Sequence, residues 1–343
     1  SMKALLKSGH GLGMDGVSLV DIPVPTPKAN EVLIKVMACG ICGTDLHIIN
    51  EEYAHTSPIV LGHEFTGTIA ECGGDVTGFE IGEQVIVNNI NGCGHCHYCK
   101  QGDYQMCLEK ASIGINLNGG MAEYVVAPFD HVLKVPANMV GKDSPALSEP
   151  LTCCVRAVID HTNIEPGDVV LVTGPGAIGQ ICAQLAKAAG AYVIMSGMPG
   201  DLPRLELAQR LGSADDIATS NEELAEKIYA RTEFGVDIVL ECSGAGPAFN
   251  NALEVVRKQG QITQVGVFGK PVTANLDVLW KKEIKYTSSF ATGASSWEKL
   301  QKIFAMDILK LDDLISARIP LENYKEAFDM VARREGFKTF LIP

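Results

Sequence analysis

The run Val169-Val170-Leu171-Val172-Thr173-Gly174-Pro175-Gly176-Ala177-Ile178-Gly179 decides the fold. Its first half is almost wholly apolar, as expected of a strand buried on both faces within a parallel sheet covered by helices. The G-x-G-x-x-G that follows leads into an apolar helix predicted over 180–189, and a second strand is predicted at 192–195. Glycines between a strand and a helix permit a tight turn and a close backbone approach to a pyrophosphate. That group then rests on the unpaired N–H groups and positive dipole end of the helix. Gly174, Gly176, Ala177, Ile178 and Gly179 are therefore the candidate dinucleotide cradle. Strand-type runs at 236–240 and 261–266 continue the pattern.

Upstream of about Pro166 the rhythm differs. Short β-type runs at 32–36, 85–87 and 123–126, broken by Gly, Pro and Asn, predict a compact all-β barrel with long functional loops. One of those loops reads Gly92-Cys93-Gly94-His95-Cys96-His97-Tyr98-Cys99 and closes at Cys107. Cys93, Cys96, Cys99 and Cys107 have the spacing of a closed tetrahedral zinc site, which staples a fold and leaves no position for chemistry. Buried cysteines, disulfides and an iron–sulfur cluster are the alternatives, with His95 and His97 as bystanders.

Three further clusters carry reactive residue types: Gly40-Ile41-Cys42-Gly43-Thr44-Asp45-Leu46-His47, Leu61-Gly62-His63-Glu64-Phe65, and Leu147-Ser148-Glu149-Pro150-Leu151. Cysteine, histidine and carboxylate drawn from separate loops are what an open zinc site needs, because three protein ligands leave one position for water or substrate.

Bulk composition narrows the function class. With 343 residues the chain is long enough for two domains. A net charge of −13 argues against a nucleic-acid partner, which would require a basic patch. No apolar run is long enough to cross a bilayer, so no membrane partner is expected. The stretch Met2-Lys3-Ala4-Leu5-Leu6-Lys7 lacks a signal-peptide apolar segment. Eleven cysteines, several in metal-ligand patterns, fit a reducing compartment; a cytoplasmic location is expected.

Together the segments 40–47 and 62–64, the four-cysteine lobe and Glu149-Pro150 resemble the zinc-dependent medium-chain alcohol/polyol dehydrogenases, over essentially the whole chain. The resemblance implies an α/β protein in which a GroES-like β-barrel catalytic domain is joined to a Rossmann domain with a doubly wound parallel sheet. The expected boundaries are 1–148 catalytic, 149–289 dinucleotide-binding, and 290–343 returning to the catalytic domain. It implies two zinc ions per chain, one catalytic and one structural. Cys42, His63 and Glu64 would ligate the catalytic ion, with Glu149 binding directly, through water, or in alternation with substrate. Asp45 would orient the His63 ring, and Thr44 and His47 would relay the alcohol proton to solvent. Ser243, Val265 and Gly266 would lie along the nicotinamide. A homo-oligomer, dimer or tetramer, is also implied.

The strand at 192–195 leads into Ser196-Gly197, where NAD-selecting enzymes usually place an acid for the ribose hydroxyls. Losing that carboxylate removes its repulsion of a 2′-phosphate, which Arg204 and Ser196 can meet, so NADP is favoured within an NAD(P) requirement. Asp201 as a substitute acid is the alternative. The Cys42/His63/Glu64 pattern points to polyol and threonine dehydrogenase branches, hence to oxidation of a small-molecule secondary alcohol to a ketone. Ala291-Thr292-Gly293 stands where sorbitol-type enzymes carry an Arg-Tyr pair, which argues against sorbitol itself. Sugar acids, sugar phosphates and amino alcohols stay open. Trp297, Tyr53 and His55 read either as substrate-facing or as packing and loop residues. The rivals are a zinc-ribbon binding module without activity and a zinc-free reductase acting on activated double bonds.

Overall fold

The structure is a computed structural model that describes every residue from Ser1 to Pro343. The chain forms two units: Ser1–Pro150 with Thr292–Asp307 and Leu311–Pro343, and Leu151–Ala291 with Ile308–Lys310.

The first unit is built on the long strand Glu31–Gly40. Val32, Ile34, Val36, Ala38 and Cys39 on it are all buried, so most of the strand is core. It pairs antiparallel with Glu64–Cys72, Tyr124–Pro128 and Lys338–Ile342. The seven-stranded sheet is completed by Gln84–Val87, Val132–Lys134 and Ile315–Pro320. A three-stranded sheet joins Met2–Lys7 to Val17–Ile22 and Ile59–Val60. Leu5, Ile34, Leu61, Phe65, Phe328 and Leu341 share one apolar cluster. Phe328 reaches it from the helix Tyr324–Ala332, whose buried Tyr324, Ala327 and Phe328 recur at helical spacing. Trp297, on Ala294–Met306, is buried with Leu300 and Phe304 on the same helix, so it packs rather than faces substrate.

The second unit is a six-stranded, all-parallel sheet. Its order is Asp216–Ala218, Tyr192–Ser196, Val169–Thr173, Val236–Glu241, Val256–Gln264, Lys285–Ser288. Val169–Thr173 is buried at every position. Sequence order reverses between it and Val236–Glu241, which makes the carboxyl ends of these two strands the topological switch point where open α/β sheets bind ligands. The helix after the glycine loop spans Ala177–Ala188 and starts three residues earlier than predicted. Gly176 is its N-cap, and Ala177, Ile178 and Gly179 form its first turn. No helix is long and apolar enough to cross a membrane.

Leu171 is fully buried at the sheet centre. Leu171→Ala is expected to cost about 2–5 kcal/mol of stability through lost burial and a residual cavity, read as a lower midpoint in denaturant unfolding.

Candidate functional site: a cysteine–histidine–glutamate centre and a dinucleotide cradle

The first reactive segment is the start of a helix rather than a loop. Cys42 is the N-cap of Gly43–Ile49, and the Asp45 carboxylate reaches back so that Oδ2 accepts the Cys42 backbone N–H at 2.8 Å. This fixes the thiol beside the sheet end. The remaining Asp45 oxygen, Oδ1, lies 3.6 Å from His63 Nδ1, with both side chains buried. That approach leaves His63 Nε2 available as a ligand atom. Gly62 precedes His63 with φ +102, and a Cβ there would lie 2.6 Å from Cys39 Sγ, so only glycine makes this turn.

One donor atom from each of Cys42, His63 and Glu64 lies within 4.8 Å of the others. His63 is pulled two ways: burial lowers its pKa, but the Asp45 carboxylate and the Cys42 sulfur outweigh burial and hold it well above the usual imidazole range. A half-buried sulfur with a buried imidazole and carboxylate converging this closely, with Asp45 Oδ1 and His63 Nδ1 unsatisfied, fits a zinc ion. Glu149 stands outside that group, half-buried in the first turn of the helix Ser148–Val155; this cluster is helical too.

Sequence reasoning missed Lys338. It begins the strand Lys338–Ile342, is buried, and puts Nζ 2.6 Å from Glu64 Oε2 and 3.2 Å from the Ile41 carbonyl oxygen. Its signal was a lone cation just before the apolar run Phe340-Leu341-Ile342.

His47 and Thr44 sit one helical turn apart on Gly43–Ile49. His47 is exposed, and its Nδ1 lies 2.7 Å from Glu52 Oε2. Tyr53 and His55 line a separate cavity of about 620 Å3 with Gly9, Gly11, Glu51 and Glu52.

The four-cysteine lobe is confirmed as a cluster. Cys93, Cys96, Cys99 and Cys107 place their sulfurs within 4.8 Å of one another, and none is in a disulfide. Backbone N–H groups of Cys93, Cys96, Cys99 and Glu109 donate to these sulfurs at 3.3–3.4 Å, as thiolate ligands require. Gly92 has no room for a side chain, since a Cβ would lie 2.5 Å from Cys99 Sγ. His95 and Glu109 approach Cys93 from the exposed side. Four sulfurs close enough to share one ion, with no open position, fit a closed zinc site.

In the second unit, Gly174 has φ +85 and packs on Ser243, where a Cβ would fall 2.7 Å from the Ser243 Cα. A Cβ at Gly176 would meet nothing within 4 Å. The start of the helix Ala177–Ala188 therefore faces open space with its N–H groups unpaired, a cradle that fits a pyrophosphate. Glu241, fully buried at the end of its strand, was not singled out from the sequence. Its Oε1 accepts from Thr173 Oγ1 at 3.1 Å, from the Ser243 N–H at 3.0 Å and from the Ser243 hydroxyl; Oε2 accepts the Gly244 N–H at 3.2 Å. It ties the two switch-point strands together and shapes the turn at Ser243. The backbone N–H groups of Val265 and Gly266 donate to the Glu241 carbonyl at 2.9 and 2.8 Å, so the same residue also anchors the second expected nicotinamide segment. Ser196 ends its strand, and Asp201 folds back to accept the Met198 N–H at 2.9 Å, against Gly197. Arg204 lies in the first turn of Leu202–Arg210.

Comparison with known proteins agrees with this geometry. Residues 28–137 match the alcohol dehydrogenase GroES-like domain, and residues 177–306 match the zinc-binding dehydrogenase family. The chain is 37% identical to D-arabitol-phosphate dehydrogenase of Enterococcus avium, covering 99% of this chain and 97% of that one. It is 36% identical to sorbitol dehydrogenase of Halalkalibacterium halodurans, covering 100% and 99%. A zinc-binding dehydrogenase from Sinorhizobium meliloti bound to NADP superposes with a TM-score of 0.89 at 30% identity, over 100% of both chains. The chain belongs to the zinc-dependent medium-chain dehydrogenases, with a GroES-like domain and a Rossmann-type parallel sheet. It is an oxidoreductase acting on alcohols, with zinc and a nicotinamide dinucleotide as the family's cofactors.

Because a Cβ at position 176 would meet nothing within 4 Å, Gly176→Ala is expected to leave the thermal midpoint nearly unchanged. It should raise the cofactor KM by about tenfold or more by blocking backbone approach to the pyrophosphate. An unchanged KM would place the pyrophosphate elsewhere.

Proposed function

We propose that this enzyme oxidises a secondary alcohol of a polyol or sugar-derived substrate to the ketone, transferring hydride to NADP in preference to NAD. The observation that carries the reading is the convergence of half-buried Cys42 with buried His63 and Glu64, in a chain whose 37% and 36% identical relatives are an arabitol-phosphate dehydrogenase and a sorbitol dehydrogenase. When bound, zinc supplies the Lewis acidity that brings an alcohol's proton within reach of neutral pH.

The chain's own residues do the rest. Cys42, His63 and Glu64 hold the metal, Glu149 stands by as an additional carboxylate, and Asp45 fixes the ring of His63. Thr44 takes the alcohol proton and His47 passes it to solvent; the exposure of His47 and its contact with Glu52 support that exit. Gly174, Gly176, Ala177, Ile178 and Gly179 hold the pyrophosphate, while Ser243, Val265 and Gly266 border the nicotinamide. Ser196, Gly197 and Arg204 receive the 2′-phosphate. Two observations support NADP: the Asp201 carboxylate is engaged by the Met198 N–H, and a 30% identical relative binds NADP. The arabitol-phosphate relative favours a phosphorylated polyol as the second reading.

A second zinc occupies the four-cysteine lobe. The enzyme also self-associates, as a dimer or tetramer. Support comes from the outer strand Lys285–Ser288, which pairs along one edge only, and from exposed Val267, Leu276 and Trp280 in the same unit.

Turnover is tested by nicotinamide absorbance with polyols, polyol phosphates, sugar acids and threonine, with each dinucleotide, before and after chelation. Chelator-sensitive oxidation of a polyol or its phosphate, with a lower KM for NADP, is the expected result. Oxidation of threonine alone would overturn the substrate class, and NAD-selective turnover would overturn the cofactor preference. Metal analysis should find two zinc ions per chain. Cys42→Ser should abolish turnover with little change in thermal midpoint, whereas Cys96→Ser should lower that midpoint; a Cys42→Ser variant with full turnover would remove it from the centre.

A further inference from the structure

Glu64 meets a buried cation across a glycine. Gly40, the last residue of Glu31–Gly40, lies directly opposite Glu64 on one side and Phe340 on the other. A Cβ at position 40 would sit 2.6 Å from Glu64 Oε2, so the missing side chain opens the path along which the carboxylate reaches the neighbouring strand. Lys338 waits there. Its Nζ is 2.6 Å from Oε2 and donates to the Ile41 carbonyl at 3.2 Å, while the Ile41 N–H donates to the Thr339 carbonyl at 3.0 Å. The lysine is thereby fixed to the segment that carries Cys42.

We propose that Lys338 is a positioning residue that occupies Oε2 of Glu64, leaves the metal a single oxygen, and keeps this ligand weakly bound and releasable. This rests on Glu64 being a zinc ligand. Charge counting gives the same direction. Cys42 as thiolate, Glu64 and the buried Asp45 bring three negative charges, before Glu149 is counted; a divalent ion supplies two positive ones and Lys338 a third. Without the lysine, an uncompensated carboxylate with both oxygens free faces the metal, and the like-charge repulsion between ammonium and ion is gone.

The test uses the full-length zinc-loaded enzyme and its cobalt-substituted form. Lys338→Met should surrender the zinc of this centre to a chromogenic chelator about tenfold more slowly than wild type, consistent with the removal of a neighbouring positive charge. The visible cobalt absorption should weaken as a fifth donor joins the ion. Lys338→Arg, which keeps the ion pair, should release zinc as wild type does. Release from Lys338→Met at the wild-type rate or faster would overturn the inference. If Lys338→Met does not fold, Lys338→Gln, which retains a donor for Ile41, carries the same test. Glu64→Gln separates the two levels. If it releases zinc as wild type does, Glu64 is not a ligand and the site reading itself fails. If it releases zinc faster while Lys338→Met matches wild type, only the role of Lys338 fails.

Discussion

The first unit is arranged around an electrostatic problem: buried anionic groups within a few ångströms of one another. Asp45 and Glu64 have almost no solvent access, and the Cys42 sulfur lies beside them. Leaving such charges unpaired would cost several kcal/mol each. The local fold reads as a set of partial answers. Asp45 spends one oxygen on the backbone at a helix start, Lys338 meets Glu64, and His63 carries a raised proton affinity. None of these neutralises the whole set. A divalent cation does, which is why the site is better understood as a socket for charge than as a collection of side chains.

The second unit solves a different problem with almost no side-chain charge. Its candidate binding surface is made of what is missing: no Cβ at Gly176, no partners for the first N–H groups of the helix, and no acid at Ser196. The buried carboxylate of Glu241 faces inward, where four donors from Thr173, Ser243 and Gly244 consume it. It organises the surface without contributing its charge to it.

What the sequence made legible was governed by distance along the chain. The strand Val169–Thr173, the glycine loop and the four cysteines are local patterns, and they stand in the structure as read. The convergence of Cys42, His63 and Glu64 was legible only through resemblance, because no local rule brings a helix cap and a strand start together. Boundaries slipped where capping decided them: Gly43–Ile49 and Ser148–Val155 are helices where loops were expected. The partnership of Lys338 with Glu64 was hidden for a plainer reason. Lys338 lies 274 positions from Glu64 (338 − 64), and only the pairing of Lys338–Ile342 against Glu31–Gly40 joins them.

That pairing has a consequence for how the chain is made. The first unit is discontinuous: nearly all of the parallel-sheet unit is inserted between its early strands and the two strands Ile315–Pro320 and Lys338–Ile342. During synthesis the second unit can finish folding while the first still lacks the strand that flanks its central one, and while Glu64 has no lysine to face. Contacts of such large sequence separation close late and slowly. The nascent first unit therefore holds its cysteine, histidine and carboxylates in an open-edged sheet without their built-in counter-charge. Arrival of Lys338–Ile342 seals the edge and supplies the cation in one event, so closure of the sheet and completion of the charge set coincide.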